Sequence, residues 1–438
     1  IGASDAAVRL LLSVLAGYPL AIVYRKFVCG RTPGLQHLYF IASGLLLGYF
    51  NYGQECLHSL AAISYTYLAM LLLGGTGFTL GFVLIVNMLH LLIGYHLAGT
   101  DSYDINWTMP QCVLVLRLIG LAFDYHDGKQ PPEKLSAENK KVALTELPGV
   151  LEVFGYALFP ASYMVGPQFP MKRYQRFVGG EFGDKPSSAD ASLRRLGLGV
   201  WYLIVFQLLG VLVSDEYMMS EEFGQQNFLK RCLLLGIWGR HTLYKYISCW
   251  LLTEGACILF GVTHNGTDEH GQTRWDGVSN IDLRVFENTT EFNHYIQSFN
   301  VNTNHWVAQY IYKRLKFLGN RHLSQLGALL FLAIWHGFHS GYYVCFAFEF
   351  IVIYMERDFK SIVNSNEFLT GLFSSAASKA VCMVVLRLYT FVFMGWCLLP
   401  FALLKFPRYW RAFANVNHIG TLLFVLWPVV YAPLLRLV

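Results

Sequence analysis

Long apolar runs alternate with short polar breaks along most of the chain. A membrane crossing by a helix needs ~20 apolar residues. Measured against that length, the runs at 8–24, 37–50, 57–73, 78–98 and 107–123 are the first candidate spans. The run at 150–165 is interrupted by Pro160, which predicts a broken or re-entrant segment. Further spans are expected at 196–213, 228–262, 323–335, 342–354, 381–404 and 419–435. The pattern predicts an all-α, polytopic membrane protein with roughly eleven transmembrane or re-entrant helices around an internal reaction chamber. It reads as one domain, 1–438, with no internal repeat of the kind that transporters built on inverted halves display.

Composition supports this picture. The 438 residues are 55% hydrophobic and only 14% charged, against about 25% charged in an average soluble domain. A net charge of +5 is modest and gives no reason to expect a nucleic-acid partner. The nine cysteines form no CxxC pair and sit mostly in apolar runs, where packing is the expected role. The chain starts at Ile1 without a signal-peptide pattern, which is read as a trimmed terminus. Orientation stays open: the basic loops at 124–141 and 172–195 share a side only if the Pro160 segment re-enters.

Polar residues gather between Arg240 and His339 as nowhere else. Trp335-His336-Gly337-Phe338-His339-Ser340-Gly341-Tyr342-Tyr343 closes this region, and Glu349 follows inside the next apolar run. An ionisable side chain at membrane depth is costly, so His336 is either a packed, hydrogen-bonded helix residue or a working one. The Asn-rich stretch Ser298–Asn304 leads into a helix expected over 303–318, where asparagines also serve as caps. That helix is about 24 Å long, and the next, from Arg321 or His322 to Trp335, about 22 Å. Packed antiparallel, the two would bring Asn300 and His336 to one height. A desolvated imidazole is neutral and can take a proton from a hydroxyl. A nearby amide can donate to a polarised carbonyl oxygen or hold the ring. No GxSxG motif points to a serine acyl-enzyme. His336 and His339 lack a third ligand nearby, so no metal is expected.

The ordered set Phe299-Asn300, Trp306, Trp335-His336-Gly337 and His339-Ser340-Gly341-Tyr342 resembles the membrane-bound O-acyltransferase family. Val165-Gly166-Pro167-Gln168-Phe169, Leu243-Tyr244-Lys245-Tyr246 with Trp250, and Trp275-Asp276 are similar to its lysophospholipid branch, as is the run Tyr103 to Pro110. That branch often has proline where Ser340 stands. The resemblance implies His336 as the active-site histidine and Asn300 as its partner. It implies an acyl-CoA-dependent 1-acylglycerophosphocholine O-acyltransferase of the endoplasmic reticulum membrane, with polyunsaturated acyl chains preferred. Acyl-CoA is then a co-substrate and no cofactor is expected. The lysophospholipid is the acceptor, membrane lipids are the surroundings, and a homodimer would be compatible. The expected substrate contacts are Tyr244, Lys245, Tyr246, Lys313, Arg314, Trp335, Ser340 and Tyr342, with Lys316 as a further candidate near the coenzyme A phosphates. Interfacial snorkelling and aromatic anchoring are the competing readings of those basic and aromatic residues. A sterol, a diacylglycerol or a protein as acceptor, and a transporter with His and Glu in its pathway, are the alternatives.

Overall fold

The computed structural model describes residues 4–100, 105–182 and 188–437. Tyr103 and Asp104 of the run at 103–110 and Lys185 of the second basic loop lie outside them. Helices make up the architecture; among the described residues the β-pairing consists of two isolated bridges, Thr267 with Thr273 and Ile281 with Phe299.

The first five long helices are α1 (Asp5–Val23), α2 (Pro33–Tyr52), α3 (Leu57–Leu73), α4 (Gly77–Ala98) and α5 (Thr108–Asp127). Local chemistry sets their ends. Pro33 starts α2, where a missing N–H costs nothing. The Thr76 side chain accepts from Thr79 N at 3.1 Å and caps α4. α5 is central: from Leu114 to Tyr125 every residue is buried. After it come α6 (Val150–Ala157), α7 (Ser188–Leu212) and α8 (Phe228–Phe260). α8 has 33 residues, about 50 Å of helix, and packs along α1 and α7. α7 turns Trp201, Leu208, Val211 and Leu212 outward, an apolar face suited to lipid. Then follow α9 (Phe292–Ser298), α10 (Val301–Val307), α11 (Arg321–His336), α12 (Ser340–Ser365) and α13 (Ala376–Leu403), with α13 against both α8 and α12.

Six stretches among the described residues are long and apolar enough to cross a membrane: 5–28, 33–73, 77–98, 108–127, 188–212 and 376–403. Helices also cover the expected 323–335 run and the 228–262 run as far as Phe260, whereas several other expected segments differ in instructive ways. The 150–165 run is helical only as far as Ala157, and its remainder is irregular chain folded against α5. The expected 342–354 helix extends to Ser365, because Glu356, Arg357, Asp358 and Lys360 end the apolar window but not the helix. Charged, straight-chain residues continue a helix readily. The 303–318 helix changes winding twice, to a π turn at Ala308–Tyr312 and a 3-10 turn at Lys313–Leu318. The final 419–435 run is a succession of π turns, Thr421–Val425 and Trp427–Tyr431, before Ala432–Leu435. Pro428 and Pro433 cannot donate to a regular i→i−4 ladder there.

Two glycines shape the join between α11 and α12. Gly337 has φ +123° and stops α11, a conformation closed to side-chain-bearing residues. Gly341 N donates to Leu404 O at 2.9 Å, and a Cβ on Gly341 would sit 1.9 Å from Pro400 O. Gly341→Ala is therefore expected to push α12 off α13 and to destabilise by about 2–3 kcal/mol. Thermal unfolding in detergent measures this; an unchanged midpoint would refute the contact's importance.

Candidate active site

His336 is the last residue of α11, and its ring is held in place from several sides. Tyr95 donates from its hydroxyl to Trp335 O at 3.1 Å, tying α4 to the end of α11. The Trp335 indole N–H donates to Cys112 O at 3.0 Å, tying in α5. His336 Nδ1 lies 2.7 Å from Leu332 O. A carbonyl can only accept, so Nδ1 carries the hydrogen and Nε2 keeps its lone pair. The rings of Trp335, Phe401, Phe346 and Tyr342 surround the imidazole with centroids at 4.6, 5.1, 5.3 and 5.5 Å.

Asn300 arrives by a different route. It precedes α10 with φ 50° and ψ 45°, a left-handed geometry that asparagine tolerates better than other side-chain-bearing residues. It occupies the capping position, yet its side chain caps nothing. Its Oδ1 accepts from Asn280 Nδ2 at 3.2 Å, so the amide is aligned by a neighbour. The structural work expected of an Asn-rich stretch falls to the residues around it. Asn304 Nδ2 donates to Ile296 O and Phe299 O, and Asn302 Nδ2 to Val278 O and Ser279 O.

Asn280 is in turn fixed by Glu254 of α8. The buried Glu254 carboxylate accepts from the backbone N–H of Asn280 at 2.6 Å and of Ile281 at 3.2 Å. Arg195 Nε lies 3.4 Å from its other oxygen. The 281–299 bridge and the Val301 N–H donating to Asn280 O complete the support. Sequence reasoning passed over Asn280 and Glu254. An acid inside the apolar run of α8 was the available signal for Glu254.

His336 and Asn300 share one cavity of about 990 Å³. Trp335, Tyr342, Lys245, Tyr246, His339 and Glu349 also line it. Four expected contacts lie elsewhere. Tyr244 donates to Glu287 at 3.0 Å and packs edge-on against Tyr202. Ser340 lies 3.2 Å from the Tyr409 hydroxyl. Arg314 grips buried Asp127 with both terminal nitrogens. Lys313 pairs with Glu138 and holds that carboxyl below the usual carboxylate range. Ion pairing with the last residue of α5 and with the polar loop after it therefore occupies both of these cations.

One wall of the cavity is irregular chain. Val165, Gly166, Pro167 and Gln168 line it, and Arg117 of α5 anchors this segment. The guanidinium donates to Tyr156 O at 3.0 Å, Ala157 O at 3.3 Å, Ser162 Oγ at 2.9 Å and Pro167 O at 3.3 Å. It also lies over the Tyr156 and Phe169 rings. Carbonyls, a hydroxyl and ring faces thus solvate a cation that is 2% exposed.

An imidazole with a free lone pair and an aligned amide, on one cavity among membrane-length helices, can run proton-assisted acyl transfer. Residues 92–402 match the family described as MBOAT, membrane-bound O-acyltransferase family. The chain belongs to that family. Lysophospholipid acyltransferase 5 of Drosophila melanogaster is 45% identical to this membrane-bound O-acyltransferase, over 98% of this chain and 88% of its own. The protein of the same name from Mus musculus is 41% identical, over 97% of this chain and 88% of its own, and that from Homo sapiens 40% with the same shares. Membership and the six apolar stretches make this membrane-bound O-acyltransferase a multi-pass membrane protein.

Proposed function

We propose that the chain is a lysophospholipid acyltransferase that moves a fatty acyl group, preferably polyunsaturated, from acyl-CoA to the free glycerol hydroxyl of lysophosphatidylcholine and related acceptors. The observation that carries this is the shared cavity, with His336 Nε2 free to accept a proton and the aligned Asn300 amide on the same lining. The names of the relatives support the choice of acceptor. Roughly eleven membrane segments around this chamber, in the endoplasmic reticulum membrane, belong to the same reading.

His336 Nε2 takes the hydroxyl proton as the glycerol oxygen attacks the thioester carbon. Negative charge gathers on the carbonyl oxygen, where the Asn300 amide N–H donates. The C–S bond breaks, the new ester forms, and the coenzyme A sulfur takes the proton back from His336. Donor and acceptor must be bound together, because no step places the acyl group on the protein. Lys245 and Tyr246 line the cavity and are the residues to meet the coenzyme A phosphates, since Lys313 and Arg314 are committed to carboxylates.

A panel of lysophospholipids and acyl-CoAs given to the purified protein tests the reading. Formation of a diacyl phospholipid with release of free coenzyme A thiol is expected, and its absence across the panel would overturn the proposal. Asn300→Asp preserves shape and the left-handed backbone but removes the amide donor. Its turnover is expected to drop about a hundredfold or more at an unchanged unfolding midpoint. Wild-type turnover would leave Asn300 as a backbone element only.

A further inference from the structure

We propose that Glu349 receives the positively charged end of the acceptor's headgroup and so selects choline- or ethanolamine-type lysophospholipids over neutral and anionic ones. The inference rests on the lysophospholipid acyltransferase reading and adds to it a residue for headgroup choice.

Cys345 and Phe346 lie three and four residues after Tyr342 and four and three before Glu349 along α12, so the four form one face, and all line the cavity. Tyr342 and Phe346 pack their rings on His336. Glu349 follows Phe346 by about one turn, a rise of roughly 5 Å along the helix. Among the described lining residues it is the sole carboxylate.

Two other acids, each bonded to a residue of the cavity wall, have partners. Glu254 takes two backbone N–H groups and Arg195. Glu356, two turns on along α12, takes Phe292 N at 3.0 Å and the Tyr389 hydroxyl at 3.1 Å. No described residue gives Glu349 a hydrogen bond or an ion pair. A carboxylate kept this way in an apolar wall is costly unless a ligand compensates it.

The rings on the same cavity suggest which ligand. Tyr295, Phe299 and Phe346 line the same cavity, and aromatic faces attract cations. A quaternary ammonium has no N–H to donate, so a fixed negative charge beside ring faces is the chemistry that holds it. A lysophospholipid carries its free hydroxyl and its ammonium on one short chain through the phosphate. With the hydroxyl at His336, the ammonium can reach the next turn of α12.

The test uses the purified full chain, one acyl-CoA and three acceptors of equal acyl length. These are lysophosphatidylcholine, its neutral isostere bearing a 3,3-dimethylbutyl headgroup, and lysophosphatidylglycerol. The wild type is expected to show a KM for the neutral isostere about tenfold above that for the choline lipid. Glu349→Gln should erase this difference and Glu349→Asp should keep it. Equal KM values in the wild type would overturn the inference, as would a preference that survives in Glu349→Gln. A uniform fall of kcat with all acceptors would also overturn it. If Glu349→Gln fails to fold, the wild-type pair of lipids and Glu349→Asp still decide. If the wild type acylates none of the acceptors, the acyltransferase reading fails instead. Thermal shifts induced by the choline lipid against its isostere then decide the headgroup site separately.

Discussion

Replacing His336 by alanine is expected to lower turnover about a thousandfold, with little change in unfolding temperature. The first part follows from the chemistry. General-base assistance contributes roughly 10²–10⁴ in rate, and no other described imidazole on the cavity has the His336 surroundings. The second follows from the packing. The ring makes one hydrogen bond, to Leu332 O, within its own helix. Trp335 and Tyr95, not His336, fasten α11 to α4 and α5. Single-turnover assays with purified protein, set beside melting curves in the same detergent, separate the two quantities. Full activity in His336→Ala would end the proposed mechanism. Loss of both activity and fold would place the residue in the packing instead.

Arg117→Met should produce the largest loss of stability, about 3–5 kcal/mol. Methionine roughly fills the volume but leaves the carbonyls of Tyr156, Ala157 and Pro167 and the Ser162 hydroxyl without their donor. Each such buried group costs about 1–3 kcal/mol when unpaired, with some relief from relaxation. Arg117→Lys keeps the charge but loses the planar fork, and an intermediate loss is expected. The 165–168 segment is part of the cavity wall, so activity should fall before global unfolding on heating. A melting curve for Arg117→Met that overlays the wild type would refute this account.

How much of this was legible in the sequence depends on how far apart the deciding residues are. Runs such as 57–73 and 78–98 announced their helices, because lipid or a packed interior demands an unbroken apolar stretch. The apolar window misled where it stopped short of the helix, as after Tyr354. It misled again where proline disrupts the winding of an apolar run, as at Pro428 and Pro433. At the site, an Asn-rich entry to a helix and a histidine at the foot of an apolar run were visible as residues, and the structure puts Asn300 and His336 on one cavity. The partners that align or divert the other candidates were not visible. Arg117 meets groups 39 to 50 residues away, Lys313 meets Glu138 and Arg314 meets Asp127. Local pattern has no access to pairings across such distances.

The hydrogen bond from His336 to the Leu332 carbonyl has a further consequence. An imidazole can pass protons across a barrier only if one nitrogen is loaded while the other discharges on the far side. Here the far side is a peptide oxygen of the same helix turn, and among the described residues no onward donor chain leads from it. The ring is a dead end for proton conduction: whatever Nε2 picks up must go back into the chamber it came from. Turnover by such a site stays neutral towards the proton gradient of the surrounding membrane, and its rate should not respond when a gradient is imposed across sealed vesicles.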